Sequence, residues 1–346
     1  MTADLTTNCP ISRVRPCAHV YRGDARTSSR IQMQMAWVGA QIIDRRSRCF
    51  LRELVSYLTR GGAVVVFHGQ STLPYLLLAA SLRFLSLSDC RLVYDMHDLH
   101  ELPLRASFRG RLRYHVFALM EYLICKLDVK ILTVSKGLAR VFFKRFRRSP
   151  VVVYNVAFEV YRQGGNEGSR RLGKGAGVVY FGLIKPDRVS LSRAQEVLNT
   201  DSSLIFDIYG QVPKGAFAAY SAELDKLASK TGLRLRGVYS PEEMGFLDNY
   251  RYSWLCFESG LLNIRYCMPN KLFQSLSARL CCVTSDNLVE ARALFGDACV
   301  SYSDFLRICE GKLESPADGI DWEDIEERIQ KLAERSRTSF LEACSS

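Results

Sequence analysis

Strand-like and helix-like segments alternate along almost the whole sequence, and that alternation limits the chain to few architectures. Short runs rich in β-branched and aromatic residues occur at 63–67, 91–95, 130–134, 151–154, 178–181, 204–209, 233–236, 254–257 and 280–284. Helical segments lie among them at 47–60, 113–127, 218–231, 270–277 and 320–343. A repeated β-then-α order marks an α/β protein with parallel sheets. Residues 163–177 hold six glycines and almost no apolar side chain, and they separate two such series. This stretch reads as an interdomain linker, set at 161–177. The expected arrangement is two Rossmann-like domains, residues 1–160 and 178–319, facing each other across a cleft, with a C-terminal helix at 320–346.

The length fits two domains, because 346 residues are two to three times a common domain of about 100–150 residues. Hydrophobic residues make up 48% and charged residues 24%, enough for a large core and incompatible with global disorder. The C-terminal run from Asp321 places acids in its first turns and bases later, which suits the helix dipole. It reads as a solvated amphipathic helix.

The 12 cysteines form no C-x-x-C pair and do not alternate with histidines, so zinc ribbons are not expected. Most sit in apolar runs, such as Leu280-Cys281-Cys282-Val283, where a thiol packs as a small hydrophobe. A reducing, cytoplasmic setting follows as an expectation. The start, Met1-Thr2-Ala3-Asp4, lacks the apolar core of a secretory signal. The longest apolar stretch, 72–87, is interrupted by Pro74 and Arg83 and is shorter than the roughly 20 residues of a membrane span.

The net charge of +11 is unevenly placed. Residues 1–160 hold 24 Lys and Arg against 11 Asp and Glu, whereas residues 161–346 hold 23 against 25. A partner of the basic surface should dock on the first half, and the candidates are nucleic acid, an anionic membrane or a phosphorylated substrate. Nucleic acid ranks last, since no helix-turn-helix, RNP or zinc pattern is present. Arg105, Arg109, Arg111 and Arg113, and then Lys144, Arg145, Arg147 and Arg148, are interleaved with aromatics as in an interfacial membrane patch. Each cation near an anionic leaflet contributes about 1 kcal/mol. A solvated face with inward-packed aromatics fits either segment equally well.

Several strand ends carry chemistry. Run 91–95 leads into Met96-His97-Asp98-Leu99-His100-Glu101, at the sheet edge where open α/β proteins bind ligands. His97 there can hydrogen-bond a substrate hydroxyl and Asp98 can orient it. Alternatively, Asp98 and Glu101 form a helix-capping box. Ser135, before a helix, reads first as an N-cap. Gly182 ends run 178–181 with Lys185 and Arg188 following, a combination suited to a diphosphate. Gly210 ends the next run in the same way, and a plain turn glycine explains it equally well. Pro269 starts a helix with Asn270 and Lys271 at its positive end, for an anion, a sugar hydroxyl or merely solvent.

In order and spacing these pieces resemble a family 4 glycosyltransferase with the GT-B fold, from about Tyr21 to Glu290. The resemblance rests on Tyr94-Asp95-Met96-His97-Asp98, Leu132-Thr133-Val134-Ser135, Tyr154-Asn155, Phe181-Gly182, Ile208-Tyr209-Gly210, Leu235-Arg236-Gly237 and Met268-Pro269-Asn270-Lys271-Leu272-Phe273-Gln274. It implies transfer of a sugar from a nucleotide diphosphate donor to an acceptor hydroxyl, with retention and no metal or other cofactor. By that likeness His97 contacts the transferred sugar, Arg188 neutralises the leaving diphosphate, and Lys271 and Gln274 lie by the donor. Leu183 stands where the family carries arginine, and Tyr266 and Gln274 stand where it carries two glutamates. Arg279 and Cys281 replace a common Gly and Pro. The expected function is a membrane-peripheral, cytoplasmic transferase in cell-surface polysaccharide or glycolipid assembly, acting on a lipid-linked or saccharide acceptor. The alternative is a catalytically silent relative that binds a membrane or a partner.

Overall fold

The computed structural model describes residues 16–22, 28–99, 101, 107–156, 177–213, 217–239, 244–258 and 261–345. Six strands form the first sheet: β1 (Cys17–Tyr21), β2 (Gln41–Asp44), β3 (Val64–His68), β4 (Arg91–Met96), β5 (Lys130–Thr133) and β6 (Val151–Val152), in the order β2-β1-β3-β4-β5-β6. Six more form the second: β7 (Val178–Leu183), β8 (Phe206–Gln211), β9 (Leu233–Gly237), β10 (Tyr252–Leu255), β11 (Cys281–Thr284) and β12 (Cys299–Ser301), in the order β12-β11-β10-β7-β8-β9. β1 is parallel to β2 and β3, and β3 to β4. Every neighbouring pair of the second sheet is parallel.

Strand order reverses between β1 and β3 in the first sheet and between β7 and β10 in the second. The crevice beyond the C-terminal ends of strands at such a reversal is where doubly wound sheets bind ligands. Helices between the strands cover the sheets, so central strands read as unbroken apolar runs: Val64 to Phe67 are at most 2% exposed.

Residues 1–132 with 340–346 form one compact unit, and residues 133–339 the other. The C-terminal helix Trp322–Ser345 buries Trp322, Ile325, Ile329, Leu332, Ser336 and Phe340 at three- and four-residue intervals. Asp321 Oδ1 accepts hydrogen bonds from the backbone N–H groups of Glu323 and Asp324, both at 3.1 Å, closing its N-terminus. Its last residues, from Phe340, belong to the first unit, where the Phe340 ring lies 5.6 Å from Trp37 and 6.2 Å from His19. The linker expected at 161–177 lies outside the described residues except for Gly177.

β1, β2 and β12 were not among the expected runs. β2 holds only two apolar residues between Gln41 and Asp44, β12 is the short run Cys299–Ser301, and β1 carries His19 at its centre. The run at 254–257 is displaced to Tyr252–Leu255. Pairing of Tyr252 with Val178 and Cys281 draws Ser253 into the ladder, where Ser275 donates to its hydroxyl at 2.6 Å. The described cysteines are free thiols, mostly buried; burial pushes Cys17 up to about 12 and Cys309 to about 11. No helix among the described residues is long and apolar enough to cross a membrane.

Candidate active site

At the reversal of the second sheet, two glycines open the backbone. Gly182 on β7 pairs with Gly210 on β8, at φ +125° and +145°, angles that side chains rarely adopt. A Cβ on Gly210 would fall 1.8 Å from the Gly182 carbonyl oxygen. Gly210 therefore serves close approach between two strands, and the turn reading is overturned.

The space beside Gly182 is filled by Lys271, from the first turn of the helix Asn270–Ser277. Its Nζ lies 5.8 Å and 5.3 Å from the ring centroids of Tyr180 and Phe181. Among the described residues no carboxylate pairs with it. Burial pushes this ammonium down to about 8, and the nearby Arg188 guanidinium adds to the effect. Arg188 lies 4.6 Å from the Phe257 ring centroid, just beyond β10, and reaches Asp187 only at 3.8 Å. Two cations thus lie at a glycine-lined strand end, with no carboxylate paired to Lys271 among the described residues, an arrangement that favours an anion.

Lys185 follows on the same loop, where its carbonyl accepts from the N–H groups of Arg188 and Val189 at 2.9 Å. Asn270 opens the helix and half-buried Gln274 lies one turn further on. Leu183 is 44% exposed.

In the first unit, the reversal gathers a polar cluster. Asp95, fully buried at the end of β4, accepts from Arg30 through both oxygens, Nη2 to Oδ1 at 2.6 Å and Nε to Oδ2 at 2.8 Å. Gln34 Nε2 donates to Oδ2 at 2.9 Å. His68 Nδ1 and His97 Nε2 lie 3.1 Å and 3.2 Å from the same oxygen, and His19 Nδ1 lies 2.7 Å from His68 Nε2. Burial opposes the charge on Asp95, yet Arg30 and the imidazoles outweigh it and hold the carboxyl well below the usual range. Burial pushes the His19 and His68 imidazoles down, which keeps them neutral.

His68, Asp95 and His97 place one ligand atom each within 4.8 Å of one another, as a metal site does. Arg30 already spans both carboxylate oxygens and sets a positive charge beside them, so the donor set fits hydrogen bonds better than a cation. Of the cluster, only His97 was singled out from sequence. Arg30, Gln34, His19 and His68 show no local signal, because the fold alone converges them. Asp95, an acid inside an apolar strand run, was the signal available.

Asp98 is exposed at a bend, with its carbonyl 3.5 Å from Gln70 Nε2. The capping-box reading is overturned: the next described helix is Phe108–Lys126, capped by Ser107, whose hydroxyl accepts from Gly110 N–H at 3.2 Å. His100 lies outside the described residues. Ser135 does cap, accepting from Leu138 N–H at 3.1 Å. Glu290 completes that helix start, accepting from Lys136 and Gly137 N–H at 2.9 and 2.8 Å and from the Tyr154 hydroxyl at 2.7 Å. Tyr266 packs its ring on Gly137, where a Cβ would fall 2.5 Å from Cδ1. That contact accounts structurally for an aromatic at this position.

Arg109, Arg111 and Arg113 are exposed on the helix Phe108–Lys126, and Arg105 lies outside the described residues. Lys144, Arg145 and Arg147 are exposed and Arg148 half-buried at the end of Lys136–Phe146, where Phe142 is buried with the Phe146 ring 4.6 Å away.

No family profile matches the sequence, and no curated protein matches it. Solved structures match in fold. HepE from Anabaena, in complex with UDP-glucose, superposes with a TM-score of 0.66 at 10% identity, over 93% of this chain and 98% of HepE. The lipopolysaccharide outer core galactosyltransferase WaaB, in its apo form, gives 0.60 at 14%, over 95% and 98%. The N-terminal domain of Candida albicans trehalose-6-phosphate phosphatase gives 0.58 at 10%, over 94% and 93%. The architecture is therefore GT-B: two six-stranded parallel sheets with flanking helices and a C-terminal helix. What these proteins share with the chain is the fold.

Proposed function

We propose that the chain is a glycosyltransferase that moves a sugar from a nucleoside diphosphate-sugar to an acceptor hydroxyl, with retention and without a metal. The observation that carries this is the pairing of Lys271 and Arg188 at the ends of β7 and β10. Breaking a glycosyl phosphate bond leaves negative charge on the departing diphosphate, and fixed cations at a strand end stabilise that charge more than the ground state. Arg188 stands in for the arginine that Leu183 replaces; Lys185, Asn270 and Gln274 complete the donor side. His97 meets a hydroxyl of the transferred sugar, with Asp98 as its polar neighbour. HepE, of the same fold, was solved with UDP-glucose, which makes a UDP-sugar the first donor to test.

The acceptor belongs to cell-surface polysaccharide or glycolipid assembly, and the enzyme works at the anionic cytoplasmic face of a membrane. The helix Phe108–Lys126 supports this placement. It turns Glu121 and Ile124 inward and exposes Phe108, Leu112, Val116, Leu119, Tyr122 and Leu123 on the opposite face, beside Arg109, Arg111 and Arg113.

Calorimetry with UDP, GDP, ADP and dTDP, followed by hydrolysis and transfer assays with the matching sugars and membrane extracts, tests the proposal. Micromolar binding of one nucleotide with turnover of its sugar is expected. Absence of both refutes it, and binding without turnover supports the silent alternative.

A further inference from the structure

We infer that Asp95 is a positioning residue that fixes His97 with its Nε2–H turned inward, so that Nδ1 is the nitrogen left to face a substrate. The facing-substrate clause rests on the function proposed above; the tautomer does not.

Hydrogen-bond direction fixes the tautomer. His97 Nε2 has two inward neighbours, Asp95 Oδ2 at 3.2 Å and His68 Nδ1 at 3.3 Å. Asp95 is bonded to Arg30 through both oxygens and is ionised, so it accepts only. A bare lone pair on His97 Nε2 would oppose that carboxylate at contact distance. Nε2 therefore carries the proton and turns it to Asp95 Oδ2.

The same rule assigns the rest of the chain. His68 Nδ1, 3.1 Å from Asp95 Oδ2, carries a proton. His68 Nε2 is then an acceptor, and His19 Nδ1 donates to it at 2.7 Å. The remaining nitrogen, His19 Nε2, is buried with no hydrogen-bond partner among the described residues. In this direction it is a lone pair. In the reverse direction it would be an orphaned N–H, and His68 would turn a lone pair toward the carboxylate, so both ends of the chain select the same arrangement.

His97 alone among the three imidazoles reaches the surface, at 28% exposure against none for His68 and His19. With Nε2–H turned inward, the lone pair of the imidazole lies on Nδ1, the atom suited to take a hydrogen bond from a sugar hydroxyl. Arg30 and Gln34 hold Asp95, and Asp95 holds the ring.

Two-bond 1H–15N correlation spectra of the full chain labelled in histidine test this directly; five histidines are few enough to assign by substitution. His97 is expected to be protonated at Nε2, and His68 and His19 at Nδ1. A His97 protonated at Nδ1 overturns the inference, whether or not any donor is turned over. In Asp95→Asn the His97 signals should shift toward a tautomer mixture; unchanged signals in a folded variant overturn it too. If that variant does not fold, the wild-type spectrum decides. Where transfer is measurable, His97→Asn, whose amide reaches the Nδ1 position, should retain at least about tenfold more kcat than His97→Gln, whose amide reaches Nε2, a difference of roughly 1.4 kcal/mol. Equal loss, or the reverse order, counts against Nδ1. Loss of all turnover in the wild type would refute the transferase reading and leave the tautomer assignment standing.

Discussion

A Cβ built on Gly182 would fall 1.7 Å from the ammonium nitrogen of Lys271. The smallest residue of β7 and the longest side chain of the Asn270–Ser277 helix share one volume, so a side chain at 182 must displace the ammonium. Gly182→Ala should expel the ammonium and strain a backbone at φ +125°. Nucleotide affinity is expected to fall about tenfold or more, equivalent to roughly 1.4 kcal/mol, in a calorimetric titration. An unaltered Kd would show that Lys271 does not serve the anion.

Lys271 should also make binding depend on pH. Its ammonium titrates at about 8 in the free protein, and a bound diphosphate raises that value. Affinity should be steady below about pH 7 and fall as pH rises through 8, with a proton taken up on binding near that point. Titrations at pH 8 in two buffers of different ionisation heat measure the uptake. The same burial costs stability while the group is charged, because the unfolded chain holds the proton more tightly than the folded one. Stability from this group rises as pH climbs from about 8 toward the unfolded lysine value. Lys271→Met should raise the melting temperature near neutral pH, by the equivalent of about 1–3 kcal/mol, while abolishing nucleotide binding.

Removing Arg30 should be severe. Arg30→Met leaves Asp95 buried and uncompensated, an expected loss of about 3–5 kcal/mol in a urea titration. The carboxyl is held well below its ordinary value in the folded state, so its contribution is complete above about pH 4 and is lost as pH falls below that. Arg30→Met should flatten this acid limb. A loss under 1 kcal/mol with the limb intact would mean that other donors suffice to hold Asp95.

The exposed face of Phe108–Lys126 predicts lipid binding. Phe108 is 82% and Leu112 56% exposed, so replacing both by serine should leave the melting temperature within about 1 °C, as surface changes generally do. Sedimentation with phosphatidylglycerol vesicles should nonetheless fall severalfold, and Arg109→Glu with Arg113→Glu should add to the loss at low salt. Equal pelleting of the wild type and all variants would remove this face from the reading.

Central strands were legible because parallel strands buried on both faces are apolar throughout, as Val64 to Phe67 are. β2 and β12 were not, since Gln41 and Asp44 leave β2 two apolar residues and β12 is the three residues Cys299-Val300-Ser301. Gly182, Arg188 and Lys271 were legible as candidate site residues through local patterns: a glycine at a strand end, cations in the loop after it, a proline opening a helix. That Lys271 occupies the space a Gly182 side chain would need was not, because 88 positions separate them along the chain.

Sequence alone thus determined the α/β class, the two series of strands and the polar residues at their ends, for these follow from the period of apolar residues and the chemistry of turns. Tertiary structure decided which of those residues act together. His19, Arg30, His68 and Asp95 come from separate segments, and the pairing of β1 with β3 and of β3 with β4 helps gather them beneath His97. Hydrogen-bond direction inside a buried cluster depends on distances of a few ångströms, which spacing along a chain does not encode.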